Sequence, residues 1–546
     1  MYQLDRNSNI GYACYENDSN IVEQISVVFP VFFLLVAILV CMTTMTRMVD
    51  ECRGQIGVFK ALGYSNARIQ SKFLVYSGSA ALLGWLIGYF AGTLIIPEII
   101  WSVYNIMYDF APLEHVFDPI MFILCLAAAL LCSCGAAYAT CLSELRPVPA
   151  ALIRPKTAKE GKKVWIEKIP FIWKHLDFLK KVSARNIFRY KNRLFMMIVG
   201  IGGCTALLIT GFGIRDSIKD VAALQFNEIM QYDISLSVSD GKKAYSNVSS
   251  VDGTKKVLKV LSEADDAIKD SEQKSINLLV SENGNFDGFV SFALNGKPVP
   301  EPKEGEAIIS TSVASVLSAK VGDEITLRNG NYNEIKVRVS GIFDNYLYNY
   351  AVISAETYSS GFGKEPEINT LYVNVSENAD IRDVSAKVGS CDGVTAVTVN
   401  KDLVTRVSST MNSLNYIVLL VLVCAAALAF IVIYNLTNIN IEERIREIAT
   451  IKVLGFRKRE VSAYVMREIV VLTAFGAVIG LPAGKLLHTF VMSCINVDQV
   501  TFQNKITPLS YIVSLALTFV FALTVNIFMS KRLDKIDMAT SLKSIE

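Results

Sequence analysis

The residues that catalysis or metal binding would need are few and scattered along this 546-residue sequence. The three histidines, His115, His175 and His488, stand far apart and form no metal-binding pattern. The nearest match to a phosphate-binding loop, Gly480 to Leu486, has the wrong spacing and no hydroxyl residue after its lysine. We therefore expect no catalytic, metal or cofactor site, and any ATP hydrolysis would belong to another chain.

A segment that begins with charged residues and continues into an apolar run with glycines occurs twice. Val49 to Gly92 aligns without gaps to Ile441 to Gly484, 392 residues later, and ten of the forty-four positions are identical. Ungapped identity over this length is not an accident of composition. It indicates an internal parallel repeat.

Each copy of the repeat predicts an elbow of helix, glycine and helix. Apolar residues at helical spacing predict a helix from Ile441 to Leu454 that continues the preceding apolar run. Gly455 would end it, as Gly63 would in the first copy, because glycine tolerates the left-handed C-cap conformation. A new helix is expected from near Arg457. The elbow residues are Glu51, Lys60, Leu62, Gly63, Tyr64, Glu443, Glu447, Lys452, Leu454, Gly455 and Phe456.

Two functions fit such an elbow. It is a rigid handle to which a soluble partner can dock, or it only holds two membrane spans together. After each elbow, glycines recur every four residues, a spacing that lets two transmembrane helices approach closely. We expect these glycines to serve helix packing and to make no substrate contact. They are Gly84, Gly88, Gly92, Gly476, Gly480 and Gly484.

The elements that carry these residues are membrane spans. Hydrophobic residues make up 52% of the chain and charged residues only 19%, against about 25% charged in soluble domains. Seven long runs are nearly free of charge, and each reaches the ~20 residues that cross a bilayer. One such run would also fit a buried core helix, but seven favour a membrane protein. They are residues 25–46, 73–97, 119–143, 194–214, 414–436, 469–490 and 506–530.

The lysines and arginines of the short loops predict the orientation. Basic residues are frequent in loop 47–72, in the elbow 437–467 and after 530, whereas residues 98–118 have none. By the positive-inside rule the elbows and the C-terminus are cytoplasmic, and residues 215–411 lie outside. The N-terminus then also lies outside, although residues 1–24 include no signal peptide. We expect an upstream span, and a tail that crosses unaided is the alternative.

The outer segment predicts an α+β domain. Alternating runs favour strands at 233–238, 324–327, 335–339 and 371–375, and helical patches lie at 255–261 and 311–319. The predicted fold is a polytopic α-helical membrane protein with about seven transmembrane helices, one α+β extracytoplasmic domain and an internal parallel repeat. Its parts are an outer tail (1–23), a first permease unit with three spans (24–156), a basic amphipathic cytoplasmic linker (157–193), a fourth span (194–214), the outer domain (215–411), a second unit with spans five to seven and its elbow (412–530), and a cytoplasmic tail (531–546).

The second elbow, from Glu443 to Phe456, resembles the E-R-x-x-E-I-x-x-x-K-x-L-G signature of the FtsX-like and MacB-like ABC transporter permeases. The first copy departs from this signature at Cys52 to Gln55 but keeps its lysine, leucine and glycine. Residues 305–309 and 321–327 are similar to the extracytoplasmic core domain of the same family. The resemblance covers nearly the whole chain. The chain resembles the large two-unit Gram-positive type of this family, without the first span and the first outer domain.

The resemblance implies a cytosolic ABC ATPase partner, as a dimer, which contacts residues 60–64 and 452–456. ATP hydrolysis would then move the outer domain, to export or extract an amphipathic peptide, lipid or lipoprotein or to signal across the plasma membrane. The expected partners are the ATPase and the lipid bilayer, and the outer domain leaves room for an accessory extracytoplasmic protein. The net charge of +2 gives no reason to expect nucleic acid. A secondary transporter, with inverted repeats and intramembrane charges, and a membrane-anchored receptor without an ATPase are the alternatives.

Overall fold

The computed structural model describes residues 10–108, 112–153, 181, 185, 191–282, 284–495 and 500–534. In this part of the chain, seven helices are long and apolar enough to cross a membrane, as the sequence predicted. Most of the basic linker 157–193 lies outside the described residues.

The secondary structure of the first unit consists of helices in its described residues. Its helices are α1 (Ile10–Glu51), α2 (Arg53–Ala61), α3 (Asn66–Tyr108), α4 (Pro119–Glu144) and α5 (Pro149–Ile153). The start of α4 is well capped, because the Asp118 carboxylate accepts hydrogen bonds from the backbone N–H groups of Ile120 and Met121 at 2.8 and 3.3 Å. Helices α1 and α3 both pack on α4.

The next helix leads from the membrane into the outer domain. Helix α6 (Lys191–Lys219) is followed by a short turn, α7 (Val221–Ala223), and by a π-helical turn (Leu224–Ile229). The helices of the outer domain are α8 (Gly241–Ser249), α9 (Thr311–Val316), α10 (Ala355–Phe362) and α11 (Ile381–Gly389). Its strands are β1 (Ile234–Val238), β2 (Thr254–Lys269), β3 (Glu272–Ser281), β4 (Ala293–Leu294), β5 (Lys297–Pro298), β6 (Glu306–Ser310), β7 (Glu324–Arg328), β8 (Glu334–Phe343), β9 (Tyr350–Ser354), β10 (Thr370–Val375) and β11 (Val394–Val399).

Nine of these strands form one sheet in the order β11-β1-β10-β2-β3-β9-β6-β8-β7. Its pairs are antiparallel except β3–β9 and β6–β8, which are parallel. The 16-residue strand β2 also pairs with β7, so it joins the middle of the sheet to one edge. Strands and helices are both present in this domain, and the predicted α+β class is confirmed.

The predicted helix at 255–261 is wrong, because these residues belong to β2. Their apolar side chains stand at a spacing that also fits a helix. In the strand they enter different cores, since Leu261 packs among the buried residues around Leu278 whereas Val260 packs among those around Phe286. Pairing with β10 and β3 and burial on both faces outweigh a weak local helix preference.

Four long helices form the second bundle. Helix α6 packs against α12 (Asn400–Glu443), α14 (Lys458–Cys494) and α15 (Pro508–Asp534), and the short α13 (Ile445–Val453) lies between α12 and α14. Ile201, Ile433 and Ile469 are fully buried in their common core, and Val36 of α1 packs into the same core. The first unit therefore contacts the second through α1, and α3 also contacts α12.

Candidate functional site

The second elbow begins with a break in the helix at Arg444, where α12 ends and α13 starts. The continuous helix predicted from Ile441 to Leu454 is therefore wrong at this residue. The buried Arg444 guanidinium donates hydrogen bonds to Glu447 at 2.9 Å and to the Tyr464 hydroxyl at 2.6 Å, and it pairs with the buried Glu468. Because two buried charges are satisfied only in one geometry, this pairing fixes α13 against α14.

The first elbow has the same break, at Cys52, but a different support. Cys52 stands at the position of Arg444, and Tyr76 stands at the position of Glu468, so the buried ion pair is absent from this copy. Instead, Arg53 donates a hydrogen bond to the Ala151 carbonyl of α5 at 2.9 Å. Gly57 of α2 lies so close to α5 that a Cβ on it would come within 2.8 Å of the Ile153 side chain.

The repeated lysine has the same contacts in both elbows. Lys60 Nζ donates hydrogen bonds to the backbone carbonyls of Leu145 and Pro147, just past the end of α4. Lys452 Nζ donates to the Leu533 carbonyl in the last turn of α15, at 2.6 Å. A cation is favoured at a helix C-terminus because the last carbonyls carry partial negative charge and lack intrahelical donors. Each lysine thus anchors its elbow to the last span of its own unit.

The tips of the two elbows are apolar and exposed. Gly63 and Gly455 have φ values of 86° and 89°, which confirms the predicted left-handed conformation. The flanking leucines are 69% exposed at Leu62 and 71% at Leu454, and the following aromatic residues, Tyr64 and Phe456, are also exposed. Adjacent exposed apolar residues on polar loops are typical of protein interaction surfaces.

The predicted acidic residues of the elbows face inward or along a helix. Glu447 binds Arg444, as described, and Glu51 accepts a hydrogen bond from Arg47 one turn earlier on α1, at 2.8 Å. The side chain of Glu443 is outside the described residues. The leucines, the glycines and the aromatic residues are therefore the predicted elbow residues that form its exposed tip.

The two glycine stripes have different surroundings. Gly476, Gly480 and Gly484 pack on α6, where a Cβ on Gly480 would lie 2.8 Å from the Gly202 carbonyl oxygen. On α3, the sites that a Cβ would occupy on Gly84, Gly88 and Gly92 have no atom of the described chain within 4 Å. The equivalent glycines of the two copies thus lie on a packed face in α14 and on an open face in α3.

One polar contact between the units had not been singled out from the sequence. Glu442 pairs with Arg47 of α1 and, at 2.6 Å, with Arg532 of α15. Its only sequence signal is that the repeat keeps an acidic residue at this position, Asp50 in the first copy. Glu442 links three helices at the elbow end of the molecule.

Matches to known families follow the same organisation. Residues 27–146 and 419–538 both match the FtsX-like permease C-terminal domain, and residues 194–390 match the MacB-like periplasmic core domain. The two FtsX-like segments begin 392 residues apart, which is the offset of the sequence repeat. The chain belongs to the FtsX-like and MacB-like family of ABC transporter permeases.

Individual relatives cover parts of the chain. It is 26% identical over 174 residues to the uncharacterized ABC transporter permease MJ1507 of Methanocaldococcus jannaschii, a match that covers 31% of this chain and 43% of that protein. The extracellular domain of the noncanonic ABC-type transporter YknZ from Gram-positive bacteria is 16% identical, with a TM-score of 0.23 over 31% of this chain and 98% of that one. The periplasmic region of MacB from Actinobacillus actinomycetemcomitans is 8% identical, with a TM-score of 0.25 over 33% of this chain and 93% of that one.

Proposed function

We propose that this chain is the permease subunit of an ABC transporter complex and that its two elbows dock a cytosolic ATPase dimer. ATP hydrolysis by that partner moves the outer domain, either to export or extract an amphipathic substrate or to signal across the plasma membrane. The elbows and the C-terminus face the cytoplasm in this proposal. The observation that carries it is the pair of exposed apolar tips, Leu62 to Tyr64 and Leu454 to Phe456, on the repeated elbows.

Contacts behind the tips support the transmission of force. The Lys452 ammonium fastens the second elbow to α15, and the Arg444 guanidinium fastens it to α14. Helix α12 is continuous from Asn400, at the base of the outer domain, to Glu443, at the elbow. A displacement of the tip therefore has a helical path to the outer domain.

Affinity purification of the tagged chain from mild detergent, scored for an associated ABC ATPase, tests the docking surface. We expect Leu62→Arg with Leu454→Arg to abolish the association, because a charge replaces the apolar tip of each elbow. Val321→Arg is the matched control, since Val321 is a similarly exposed apolar residue on the outer domain. If no ATPase associates with the unaltered chain, or if both variants behave alike, the proposal fails and a secondary transporter or anchored receptor becomes the better interpretation.

The lysine anchors separate docking from transmission. Lys452→Met leaves the apolar tip in place but removes the hydrogen bond to the Leu533 carbonyl. We expect this variant to retain the ATPase in the purification and to lose at least half of any substrate-stimulated ATP hydrolysis by the complex. Loss of the ATPase itself would instead make the lysine part of the docking surface.

A further inference from the structure

A cavity of about 770 Å³ lies where the outer domain meets the outer end of the second bundle. Its walls are the π-helical turn before β1, the segment around β4, the start of α9, residues 344–346 and the loop 501–505 between α14 and α15. The volume is within the range of about 300–1,000 Å³ that small-molecule sites occupy. The cavity is separate from the elbows, which lie at the opposite end of α12.

Two carboxylates line this cavity. Glu228 stands on the π-helical turn, and Asp344 follows β8. One Asp344 oxygen accepts a hydrogen bond from the Asn295 backbone N–H at 2.6 Å. Among the described residues, neither carboxylate forms an ion pair with a lysine or arginine. Lys505 also lines the cavity, so its walls retain a net charge of −1.

The wall that carries these carboxylates is held in place by buried hydrogen bonds. Gln225, on the same π-helical turn as Glu228, is fully buried. Its Nε2 donates to Asn345 Oδ1 at 2.9 Å, and its Oε1 accepts from the backbone N–H groups of Tyr346 and Leu347 at 2.9 and 3.1 Å. These bonds lock the turn to the segment after Asp344. Single π-helical turns are rare in proteins, and those that occur are often found at functional sites.

The loop 501–505 closes the cavity from the membrane side. The Thr501 backbone N–H donates to the Tyr346 carbonyl at 2.9 Å, and Gln503 Nε2 donates to the Tyr346 hydroxyl oxygen. Burial raises the pKa of Tyr346, and the negative charges of Asp344 and Glu228 raise it further. The phenol therefore stays neutral at physiological pH. Phe502 and Ile229 add apolar surface beside these polar groups.

The bottom of the cavity adjoins the ends of the spans. Ser217, near the end of α6, contacts His488 Nε2 at 3.1 Å and donates to the Lys505 carbonyl at 3.2 Å. The Asp216 carboxylate accepts hydrogen bonds from the N–H and hydroxyl of Thr507 at 2.9 and 2.8 Å. The outer end of α6 and the loop before α15 therefore lie beside the cavity, so that a molecule with its apolar body between the spans can place its head group there.

We infer that this cavity binds a primary ammonium group attached to an apolar body, with the ammonium between Glu228 and Asp344. Two carboxylates that form no ion pair with a described lysine or arginine provide the charge, and the amide and phenol groups provide further hydrogen-bond acceptors for a primary amine. The inference rests on the proposed function, because it makes this amphipathic amine the molecule that the permease moves or senses. The amine can belong to a peptide or to the head group of an aminolipid.

Calorimetric titration of the full chain in phosphatidylcholine nanodiscs, with empty nanodiscs subtracted, tests the site. The probes are n-octylammonium, n-octanol and n-octanoate, which share the apolar body and differ in charge. We expect octylammonium to bind saturably and at least tenfold more tightly than the other two. Glu228→Gln with Asp344→Asn should weaken octylammonium binding at least tenfold. Glu377→Gln with Asp252→Asn, two exposed carboxylates away from the cavity, is the matched control and should leave it unchanged.

Two further titrations identify the source of the amine. A short amphipathic peptide with a free N-terminus is compared with its N-acetylated form, and phosphatidylethanolamine replaces phosphatidylcholine in the nanodiscs. Competition of the free peptide with octylammonium assigns the site to peptides, and competition by the aminolipid assigns it to lipids. Equal binding of octylammonium and octanol, or no effect of the double variant in a folded chain, overturns the inference. Since no ATPase is present, this outcome is independent of the docking experiment.

Discussion

Asp265 on β2 is a buried carboxylate, and one of its oxygens is unsatisfied in the described part of the chain. Only 4% of the residue is exposed, and its Oδ2 has no hydrogen-bond partner among the described residues. Its neighbours differ, because Glu263 accepts a hydrogen bond from the Tyr358 hydroxyl and Asp266 pairs with Arg328, both at 3.1 Å. Burial raises the pKa of Asp265 to about 7, and the charges of Glu263 and Asp266 add to this rise.

This carboxylate predicts a pH dependence of stability. Between pH 4 and pH 7 the folded chain keeps the Asp265 proton while the unfolded chain loses it, so stability decreases as pH rises through this window. Asp265→Asn removes the effect. We expect the variant to be more stable than the unaltered chain by about 1–3 kcal/mol at pH 8, and to gain much less at pH 4.5.

Thermal unfolding of the purified chain at both pH values measures this difference. Asp252→Asn is the control, because Asp252 is an exposed carboxylate of the same domain and should leave Tm unchanged at either pH. An equal change of Tm at pH 4.5 and pH 8 for Asp265→Asn would show that protonation of this group does not explain the effect.

Replacement of glycine by alanine should have opposite effects on stability in α14 and in α3. A Cβ on Gly480 would lie 2.8 Å from the Gly202 carbonyl oxygen and 2.7 Å from Thr205 Cβ, so α6 and α14 must separate to admit it. We expect Gly480→Ala to cost about 1–3 kcal/mol. Gly88→Ala should be neutral or slightly stabilising, because it meets open space and alanine favours helices.

Both glycine variants are compared by thermal unfolding in the same detergent and again in nanodiscs. A loss of Tm for Gly480→Ala alone supports the packing of α14 on α6. An equal loss for Gly88→Ala would contradict the open face of α3 and would require another helix on that face under the conditions of the measurement.

At the scale of elements, the sequence predicted those features that depend only on neighbouring residues. Uncharged runs located the seven spans, and Gly63 and Gly455 located the elbow turns, because only glycine adopts φ near 90° without strain. The strand at 255–261 was mistaken for a helix, since partners far along the chain decide it. The helix break at Arg444 was also not predicted, because the apolar spacing of residues 441–454 fits one continuous helix, and the equivalent break at Cys52 forms without the buried ion pair.

The functional elbow was predicted only in part for the same reason. Its repeated residues were found by alignment, but a repeat does not tell which side chains point outward. The shared lysines were expected to contact the ATPase, a role that remains untested, and in the structure their ammonium groups bind the carbonyls of Leu145 and Leu533. The packing difference between Gly88 and Gly480 likewise depends on which helix lies opposite each face.

At the scale of the whole molecule, the two units share a helical core but differ in their exposure. Helix α1 packs into the second bundle through Val36, and Asn435 of α12 donates a hydrogen bond to Thr44 of α1 at 3.1 Å. Between residues 78 and 102, no residue of helix α3 is buried. In the proposed function, motion of the second elbow reaches the first unit through contacts that include that of α1 with α12.

The ion pair of Arg47 and Glu442 is the charged part of this contact, and a double-mutant cycle measures how much it links the units. Arg47→Met and Glu442→Gln should each lower stability, and the double variant should cost less than their sum, by about 1–2 kcal/mol. The same cycle with Glu51, the second partner of Arg47 and a more exposed carboxylate, is the control and should give less than about 0.5 kcal/mol. Additive costs for Arg47 and Glu442, measured by unfolding in nanodiscs, would mean that this ion pair does not link the units and that apolar packing of α1 and the Asn435–Thr44 hydrogen bond join them.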